Sequence, residues 1–579
     1  MDPSATLSPH SLRKRMFTAL AVVTCLLVLV TQVIAVFTVN INWDEFALFH
    51  RVSESIDLGA LSGGGRPGLV PLALMPLVRA CDDPIAVVHR ARLLWVPITT
   101  AAFGGVFALV LAFLRNRRER FVAAWLAVAS LALVPVVLHW SVQVRTDQPA
   151  IAAGLWAGVL LLGSRERIGK AIWAGVLLGV GYLCTQKLLY VAGLGGVLAV
   201  MDLHVNPGIR AGRELKRALF CLGAMLTVTG SFGPLVSLGM KAAPSIDVEH
   251  GFKTFAYYRA TFGFRVYRAM LPSLVGQLGL GILLLGCTVQ NLLRRAGRDR
   301  AITAAWAVLI AGTAVGGFHA GAFPYFWLTL GIFPAVALGV AWPAIDAVLR
   351  PWRLVRWVVA PLCVALLIGI GAVAAIGRVH DTQRVQRETL GYITAEFPRQ
   401  TSGFSFDGAL FCMKPPQRMP IYMGEQVYLR FAPERRTKEV TWFIEQLRSR
   451  PISFFIASFQ LESFPQEIRA YLDSHYVSAF SRVAVAGRAL RGIPDLGVDF
   501  EVIVPGRYQW RPDTPAAELL LDDKRLGPGE SVDLVRGVYH LRFERPDAAG
   551  ALLLAPRSAP RPPASPQPFY SRAVLADFG

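Results

Sequence analysis

The feature that most constrains this sequence is the alternation of long apolar runs with short clusters of basic residues. The first run, from Met16 to Val39, holds about two dozen mostly apolar residues and is long enough to cross the hydrocarbon core of a bilayer. About ten further runs follow before residue 377. Lipid favours spanning segments that satisfy their own backbone hydrogen bonds, so the sequence predicts a polytopic α-helical membrane protein.

The charge distribution between the runs predicts a topology. We predict about eleven spans, near residues 16–39, 91–114, 121–139, 148–163, 171–185, 187–201, 218–240, 272–293, 301–319, 324–347 and 357–376. The basic clusters between them are Arg13–Arg15, Arg115–Arg120, Arg165–Lys170, Arg210–Arg217, Arg294–Arg300 and Arg350–Arg356. With the amino terminus in the cytoplasm, every cluster lies inside, as the positive-inside rule requires. The carboxy-terminal part is then predicted to lie outside, and the chain to be a multi-pass membrane protein.

The formal net charge of +20 raises the question of a nucleic-acid partner. Only 17% of the residues are charged, and the arginines fall in short clusters between the apolar runs rather than along one stripe. The positive-inside rule accounts for this pattern. The sequence therefore predicts the lipid bilayer, and no nucleic acid, as a partner.

The amino-terminal run and the cysteines fit an uncleaved membrane protein. The run after Arg13–Arg15 is longer than the apolar core of a signal peptide, and no small-residue cleavage site closes it. Five of the seven cysteines lie in apolar runs. The other two, Cys81 and Cys412, fall outside the predicted spans on the same side. No spacing rule pairs them, so the sequence leaves a disulfide between them open.

Composition divides the chain into four parts. Residues 1–376 form the predicted transmembrane domain, whose first outer loop, 40–90, contains an apolar interfacial or re-entrant segment over Leu69–Val78. Residues 377–499 predict an outer α/β domain, with helices near 441–450 and 466–471 and strands near 452–457 and 480–485. Short strands near 501–504, 518–521, 532–534, 538–543 and 551–554 predict a small β-sandwich over 500–556. Residues 557–579 are rich in Pro, Ser and Arg and predict a flexible tail.

Three groups of polar residues fall at the predicted outer face. Asp44-Glu45 follows the first span, Arg145-Thr146-Asp147 lies between two spans, and Gln186-Lys187 interrupts an apolar stretch. Ionisable residues at or near membrane depth are costly, so each group is a candidate site. The simpler alternative is that each charge only marks the end of a span, with its head in water.

The residue types match one reaction, glycosyl transfer from a lipid phosphate. A polyprenyl-phosphate sugar carries its own leaving group, so the protein need not supply a general acid. A carboxylate within reach of the acceptor hydroxyl can act as the base. Arginine and lysine can stabilise the departing phosphate, an effect worth several kcal/mol in a site of low dielectric constant. The three polar groups therefore predict a transferase site at the outer face.

The sequence resembles the membrane-embedded GT-C glycosyltransferases, particularly bacterial relatives of protein O-mannosyltransferases and of the lipid A aminoarabinose transferase. The resemblance covers roughly residues 10–376. The matching motifs are Asp44-Glu45, Arg66-Pro67-Gly68-Leu69, Ala91-Arg92-Leu93, Arg145-Thr146-Asp147, Gln186-Lys187 and Phe323-Pro324-Tyr325-Phe326. It implies a GT-C fold with about eleven spans, in a bacterial cytoplasmic (inner) membrane, with the C-terminal part periplasmic or extracellular.

The resemblance also implies roles for single residues. Asp44 would be the base, with Glu45 beside it, and Asp147 would orient the acceptor or the donor. Residues that would bind the donor phosphate or the substrate are Arg66, Arg92, Arg145, Gln186, Lys187, Arg259, His319 and Tyr325. Asp44 and Glu45 are also candidates to hold a divalent cation such as Mg²⁺ or Mn²⁺, since such ions prefer oxygen ligands.

We therefore predict an inverting glycosyltransferase that moves a monosaccharide from a polyprenyl-phosphate donor to an acceptor hydroxyl. The acceptor could be a glycan, a lipid or a protein. The alternative from another class is a transporter or flippase of lipid-linked sugars, which predicts internal repeats and broken helices at mid-membrane. No internal repeat is visible in the sequence. A non-catalytic scaffold that presents the outer domain is a third alternative, and it predicts that Asp44 tolerates substitution.

Overall fold

The structure is a computed structural model, and it describes most of the chain. The described residues are 9–59, 68–163, 167–205, 211–238, 281–290, 300–318, 326–349, 351, 362, 365–366, 368–373, 375–377, 380–413, 431, 433, 435–458, 461–462, 464–490, 497–513, 517–543, 548–555 and 569.

The first part of the chain is helical. Its helices are α1 (Pro9–Thr38), α2 (Trp43–Leu58), α3 (Leu69–Arg79), α4 (Pro84–Phe113), α5 (Arg120–Ala132), α6 (Pro135–Trp140), α7 (Asp147–Gly163), α8 (Ile168–Cys184), α9 (Leu188–Val205), α10 (Ala211–Ser237), α11 (Gly281–Gln290), α12 (Arg300–Phe318), α13 (Trp327–Leu330) and α14 (Ile332–Leu349). A further apolar helix runs over Ile368–Gly377.

These helices have the apolar character of a membrane domain. Among the described residues, four stretches are long and apolar enough to cross a bilayer: Arg15–Thr38, Pro84–Phe113, Gly212–Ser237 and Trp327–Leu349. Helices such as α1 and α10 expose large apolar side chains, which suits contact with lipid. Each of the predicted spans overlaps at least one apolar helix. The number of crossings stays a prediction, because several of these helices are short.

Two predicted spans are each divided into two helices. The span near 121–139 is α5 followed by α6, and Pro135 opens α6. Proline disfavours helical geometry in the residue before it and lacks an N–H, so the break falls at Leu133–Val134. The span near 324–347 is α13 followed by α14, which meet at Gly331. A Cβ on Gly331 would lie 2.8 Å from the carbonyl oxygen of Trp327, so this close approach favours glycine.

The described part of the first predicted outer loop contains helices α2 and α3. The apolar segment predicted over Leu69–Val78 is helix α3. Helix α2 was not predicted, although its amino-terminal signal is present in the sequence. Asn42 and Glu45 form a capping box, in which the Asn42 side chain accepts from a backbone N–H of the first turn and Glu45 reaches back to the Asn42 N–H.

Basic residues of two predicted inner loops lie at one end of the bundle. Arg115, after α4, pairs with the buried carboxylate of Asp202 in α9 at 3.1 Å. Arg217 in α10 donates to the carbonyl oxygen of Leu161 in α7 at 2.8 Å and pairs with Glu214 at 2.9 Å. The candidate site described below lies at the opposite ends of α4, α7 and α9.

Where the structure describes it, the predicted outer part contains three helices and eleven strands. The helices are α15 (Arg384–Glu396), α16 (Arg436–Ser449) and α17 (Gln466–His475). The strands are β1 (Gly403–Ser405), β2 (Phe454–Ile456), β3 (Tyr476–Phe480), β4 (Val483–Leu490), β5 (Val498–Val502), β6 (Gly506–Pro512), β7 (Leu519–Leu521), β8 (Lys524–Leu526), β9 (Ser531–Leu534), β10 (Gly537–Phe543) and β11 (Gly550–Leu554). The strand predicted over 480–485 is interrupted by the turn between β3 and β4, where Ser481 has a φ of 48°, and its last three residues begin β4.

One sheet joins the two predicted outer units. Its strand order is β1-β2-β4-β11-β6-β9, with β3 also paired to β4. The long strand β4 accounts for the junction, because Val483–Val485 pairs with β2 while Gly487–Leu490 pairs with β11. The predicted division at residue 500 therefore does not separate two sheets. The second sheet, β5-β10-β7-β8, packs against the far half of the first, and Tyr508 and Trp510 lie in their shared core.

The outer part is tied to the helical part by hydrogen bonds and a disulfide. Thr382, just before α15, donates from its backbone N–H to the carbonyl oxygen of Thr38 at the end of α1 (2.9 Å). The disulfide left open by the sequence joins Cys81, before α4, to Cys412, with Cα atoms 5.7 Å apart. The rings of Phe49 and Phe411 stack nearby, with centroids 5.2 Å apart.

One residue of the predicted flexible tail is ordered against the helical part. Phe569 is buried, and its ring lies 6.1 Å from that of Phe46 in α2. Its carbonyl oxygen accepts a hydrogen bond from Asn40 Nδ2 at 3.3 Å. The rest of the predicted tail lies outside the described residues.

Candidate active site at the outer end of the bundle

The site begins at the turn between α1 and α2. Asn42 is the N-cap of α2, and its side chain accepts from the backbone N–H of Asp44 at 2.8 Å. Asp44 and Glu45 therefore lie in the first turn of a helix, where the unpaired N–H groups and the helix dipole favour carboxylates. The sequence around Asn42 thus places both acids in the first turn of α2 by local capping.

Glu45 is fully buried and forms a bidentate ion pair with Arg92 of α4. Arg92 Nη2 and Nε donate to the two carboxylate oxygens at 2.6 and 2.9 Å. The backbone N–H groups of Asn42 and Val144 donate to the same carboxylate at 3.1 and 2.8 Å. Each oxygen of Glu45 therefore accepts two hydrogen bonds, which offsets the cost of burying its charge.

Arg92 also holds the end of α1. Its guanidinium donates to the carbonyl oxygens of Val39 at 2.7 Å and Asn40 at 3.2 Å. Gln386 of the outer helix α15 joins this network from the other side, because its amide donates to the carbonyl oxygen of Ile41 at 2.9 Å and accepts from its N–H at 2.8 Å. The turn between α1 and α2 is therefore fixed by both α4 and the outer domain.

Asp44 belongs to a second, more accessible group of charges. Its Oδ2 accepts from Arg145 Nη2 at 2.9 Å, and Arg145 Nε lies 3.9 Å from Asp147 Oδ2. Lys187 Nζ donates to Asp147 Oδ2 at 3.2 Å. We call these four residues the charge ladder. Its acids and cations alternate, and its two ends are the accessible members: the side chains of Asp44 and Lys187 are 24% and 25% exposed, against 9% and 4% for Arg145 and Asp147.

The backbone of Arg145 is held by the buried pair beneath it. The N–H of its neighbour Val144 donates to Glu45, and Trp95 Nε1, one turn along α4 from Arg92, donates to the Arg145 carbonyl oxygen at 2.9 Å. The guanidinium lies over the ring of Trp140, 5.8 Å from its centroid, in a cation–π contact. Glu45 thus links α2, α4 and the loop before α7 into one rigid support.

Lys187 stands at the break between α8 and α9. The side chain of Thr185, at the end of α8, accepts from the backbone N–H of Lys187 at 3.4 Å. The ammonium lies 5.6 Å from the centroid of Phe326, and the ring of Tyr190 meets Phe326 edge to face. The neighbouring Gln186 side chain is exposed. Lys187 therefore donates to Asp147 while its ammonium lies beside the ring of Phe326.

The structure thus brings together six of the predicted site residues: Asp44, Glu45, Arg92, Arg145, Asp147 and Lys187. Gln186 adjoins this group, with its side chain exposed. The remaining predicted residues, Arg66, Arg259, His319 and Tyr325, lie outside the described residues. Contact between Arg92 and a donor phosphate, as predicted, would require opening of its buried pair with Glu45.

Several supporting residues were not predicted. Asn42 could have been recognised from its spacing to Glu45, since both belong to a capping box. Gln386 carries no comparable signal, because it lies more than three hundred residues from the turn it holds. Trp95 shows a signal only once α4 is known, since it lies on the same face as Arg92.

Asp44 and Glu45 do not fit the divalent-cation site predicted for them. Both oxygens of Glu45 already accept N–H donors, which leaves Asp44 as the only accessible carboxylate of the pair. Within the described part of the chain, no group of three or more His, Cys, Asp or Glu residues is arranged to hold a metal ion. A requirement for a divalent cation stays a prediction.

Comparison with known proteins identifies the fold. No protein-family model matches this sequence, and no curated protein matches it significantly. The apo crystal structure of ArnT from Cupriavidus metallidurans aligns with a TM-score of 0.53 at 14% identity, over 81% of this chain and 98% of that one. The crystal structure of the same protein bound to undecaprenyl phosphate aligns with a TM-score of 0.52 at 13% identity, over 81% and 97%.

A more distant similarity is to the arabinosyltransferase EmbB from Mycobacterium smegmatis. Its cryo-EM structure aligns with a TM-score of 0.37 at 12% identity, over 93% of this chain and 63% of that one, which is too low to establish a common fold. The two ArnT structures confirm the predicted GT-C fold.

Proposed function

We propose that this protein is an inverting glycosyltransferase that moves a monosaccharide from a polyprenyl-phosphate donor to an acceptor hydroxyl at the outer face of the cytoplasmic membrane. The observation that carries the proposal is the charge ladder. A partly exposed carboxylate, Asp44, and two cations, Arg145 and Lys187, lie together at one end of an apolar helical bundle.

The ladder contains the groups that the reaction needs. The donor phosphate is the leaving group, so the chain must supply a base and a means of stabilising the phosphate charge. Asp44 is the accessible carboxylate and takes the role of base for the acceptor hydroxyl. Arg145 and Lys187 supply positive charge for the departing phosphate, and Asp147 holds these two cations in place.

The fold supports the choice of donor. ArnT, which shares the fold, has been crystallised with undecaprenyl phosphate. A chain with the same fold and a pair of cations at the end of its bundle is suited to a lipid phosphate, since the lipid tail lies among the helices while the phosphate reaches the charged end. We therefore propose a polyprenyl-phosphate sugar as the donor, and the predicted acceptor stays a glycan, a lipid or a protein.

Two features support the outer face as the location. The Cys81–Cys412 disulfide lies at the same end of the bundle as the ladder, and disulfides persist in oxidising compartments such as the periplasm. The arginine clusters at Arg115 and Arg217 lie at the other end, as expected for a cytoplasmic side. We therefore place the outer domain in the periplasm or outside the cell.

The test is transfer of a radiolabelled sugar from polyprenyl-phosphate donors in membranes that contain the wild type, Asp44→Asn or Asp82→Asn. Asparagine keeps the size of Asp44 and removes its basicity, so we expect transfer to fall by at least about 100-fold at normal expression. Asp82 is an exposed acid at the same end of the molecule and is the matched control, with transfer unchanged. Wild-type transfer by Asp44→Asn would exclude Asp44 as the base.

A further inference from the structure

In the described structure the candidate base is engaged by a cation that the phosphate also needs. Arg145 Nη2 donates to Asp44 Oδ2 at 2.9 Å, so one oxygen of the carboxylate is bound before any substrate arrives. Lys187 is in the same position, since it donates to Asp147. The ladder therefore holds equal numbers of acids and cations and carries no net charge of its own.

We propose that Arg145 is shared in turn between Asp44 and the donor phosphate, so that binding of the donor frees Asp44 to act as a base. This inference rests on the proposed function. A donor phosphodiester brings one further negative charge to the ladder, and a guanidinium that binds the phosphate divides its attraction between the phosphate and Asp44. Both oxygens of Asp44 are then available to the acceptor hydroxyl only when a donor is bound.

The charges of the reaction favour this exchange. The acceptor O–H proton passes to Asp44, and the acceptor oxygen forms the new bond to the anomeric carbon. The bond from that carbon to the phosphate oxygen breaks, and its electron pair stays on the phosphate. Asp44 becomes neutral as the phosphate charge rises from one to two, so the attraction of Arg145 moves from the carboxylate to the phosphate during the step.

The surroundings of Arg145 limit the exchange to its side chain. Its carbonyl oxygen accepts from Trp95, and the preceding N–H is bound by the buried Glu45, so the backbone is fixed. The side chain of Asp44 is partly exposed, whereas Glu45 is sealed in its pair with Arg92. Asp44 can therefore lose its cation without leaving a fully buried charge uncompensated, and Glu45 cannot.

The test is a double-mutant cycle on the purified full chain, with undecaprenyl phosphate as the probe. Its four members are the wild type, Asp44→Asn, Arg145→Gln and the double variant, and Asp82→Asn is the control for loss of an exposed acid. Asp44→Asn should bind the probe about tenfold more tightly, because Arg145 is released from its competitor. Arg145→Gln should bind about tenfold more weakly. In the Arg145→Gln background, Asp44→Asn should give little further tightening.

The possible results distinguish the sharing of Arg145 from the proposed glycosyltransferase function. Equal or weaker binding by Asp44→Asn, with sugar transfer lost, would overturn the sharing of Arg145 and leave Asp44 as the base. If Asp44→Asn tightened probe binding equally in the wild type and in the Arg145→Gln background, the sharing of Arg145 would also be overturned. The loss of repulsion between Asp44 and the phosphate would then explain the tighter binding without Arg145. No binding of the probe by the wild type or by Asp44→Asn would overturn both the inference and the proposed function.

Discussion

Asp44 and Glu45 are neighbours in sequence but lie in different environments. Consecutive residues of a helix point about 100° apart, so Glu45 turns inward to Arg92 while Asp44 faces the ladder. The capping box fixes this choice, because it ties Glu45 back to the N–H of Asn42. One acid then supports the site, and the other is accessible for chemistry.

This difference predicts losses of stability of very different size for two conservative substitutions. Glu45→Gln leaves Arg92 buried without its counter-ion, and we expect it to lower the free energy of unfolding by about 3–5 kcal/mol. Asp44→Asn breaks only a partly exposed pair and should cost about 1 kcal/mol or less. Thermal unfolding of the purified variants measures both. Equal loss of stability by the two would contradict the assignment of Glu45 as support and Asp44 as the accessible acid.

The sequence predicted the charged residues of the site but could not assign their partners. Asp44, Asp147 and Lys187 are recognisable because they interrupt apolar runs, which depends on the sequence alone. Which acid meets which cation depends on how α2, α4 and α7 pack, and these contacts join residues as far apart as Asp44 and Arg145. The exposure of each side chain also depends on this packing. It distinguishes the buried Glu45 from the partly exposed Asp44.

At the scale of elements, helices and strands with strong periodicity were predicted more accurately than their junctions. Helix α4 and strands such as β10 overlap their predicted ranges, because each presents a clear apolar pattern. The predicted division of the outer part at residue 500 cuts through one sheet, because pairing of β4 with β11 leaves no mark in the local sequence. The predicted tail contains Phe569, which packs against Phe46 of α2. This long-range contact likewise leaves no mark in the local sequence.

Phe569 should matter to stability despite its position near the end of the chain. Phe569→Ala removes a buried ring that packs against Phe46 beside the turn before Asp44, and we expect a loss of about 3 kcal/mol in the free energy of unfolding. Val535→Ala is the control, since Val535 is 70% exposed, and should change stability by about 0.5 kcal/mol or less. Chemical denaturation in detergent measures both. Equal stability of the Phe569→Ala variant and the wild type would show that the tail does not support this end of the molecule.

At the scale of the whole molecule, the two ends of the bundle differ in charge and in what covers them. The ladder and the Cys81–Cys412 disulfide lie under the outer domain, whereas Arg115, Asp202 and Arg217 join the helices at the other end. The topology predicted from the arginine clusters places the end with Arg115 and Arg217 in the cytoplasm, and this orientation stays a prediction. A substrate that enters from the lipid would meet the ladder only at the covered end.

The asymmetry predicts which residues are accessible from outside the cell. Asp523→Cys, in the exposed turn between β7 and β8, should react with a membrane-impermeant maleimide once the outer membrane is permeabilised. Arg118→Cys, at the other end of the bundle, should react only after the cytoplasmic membrane is opened. The wild type gives the background from its own free cysteines. The reverse order of labelling would contradict the proposed orientation.

The measurement that tests the central claim most directly is a cryo-EM structure of the full chain with undecaprenyl phosphate. We expect the phosphate to lie within hydrogen-bond distance of Arg145 and Lys187, and the distance from Arg145 Nη2 to Asp44 Oδ2 to exceed its present 2.9 Å. A phosphate bound at the opposite end of the bundle, with the ladder unchanged, would contradict both the location of the active site and the role of its charges.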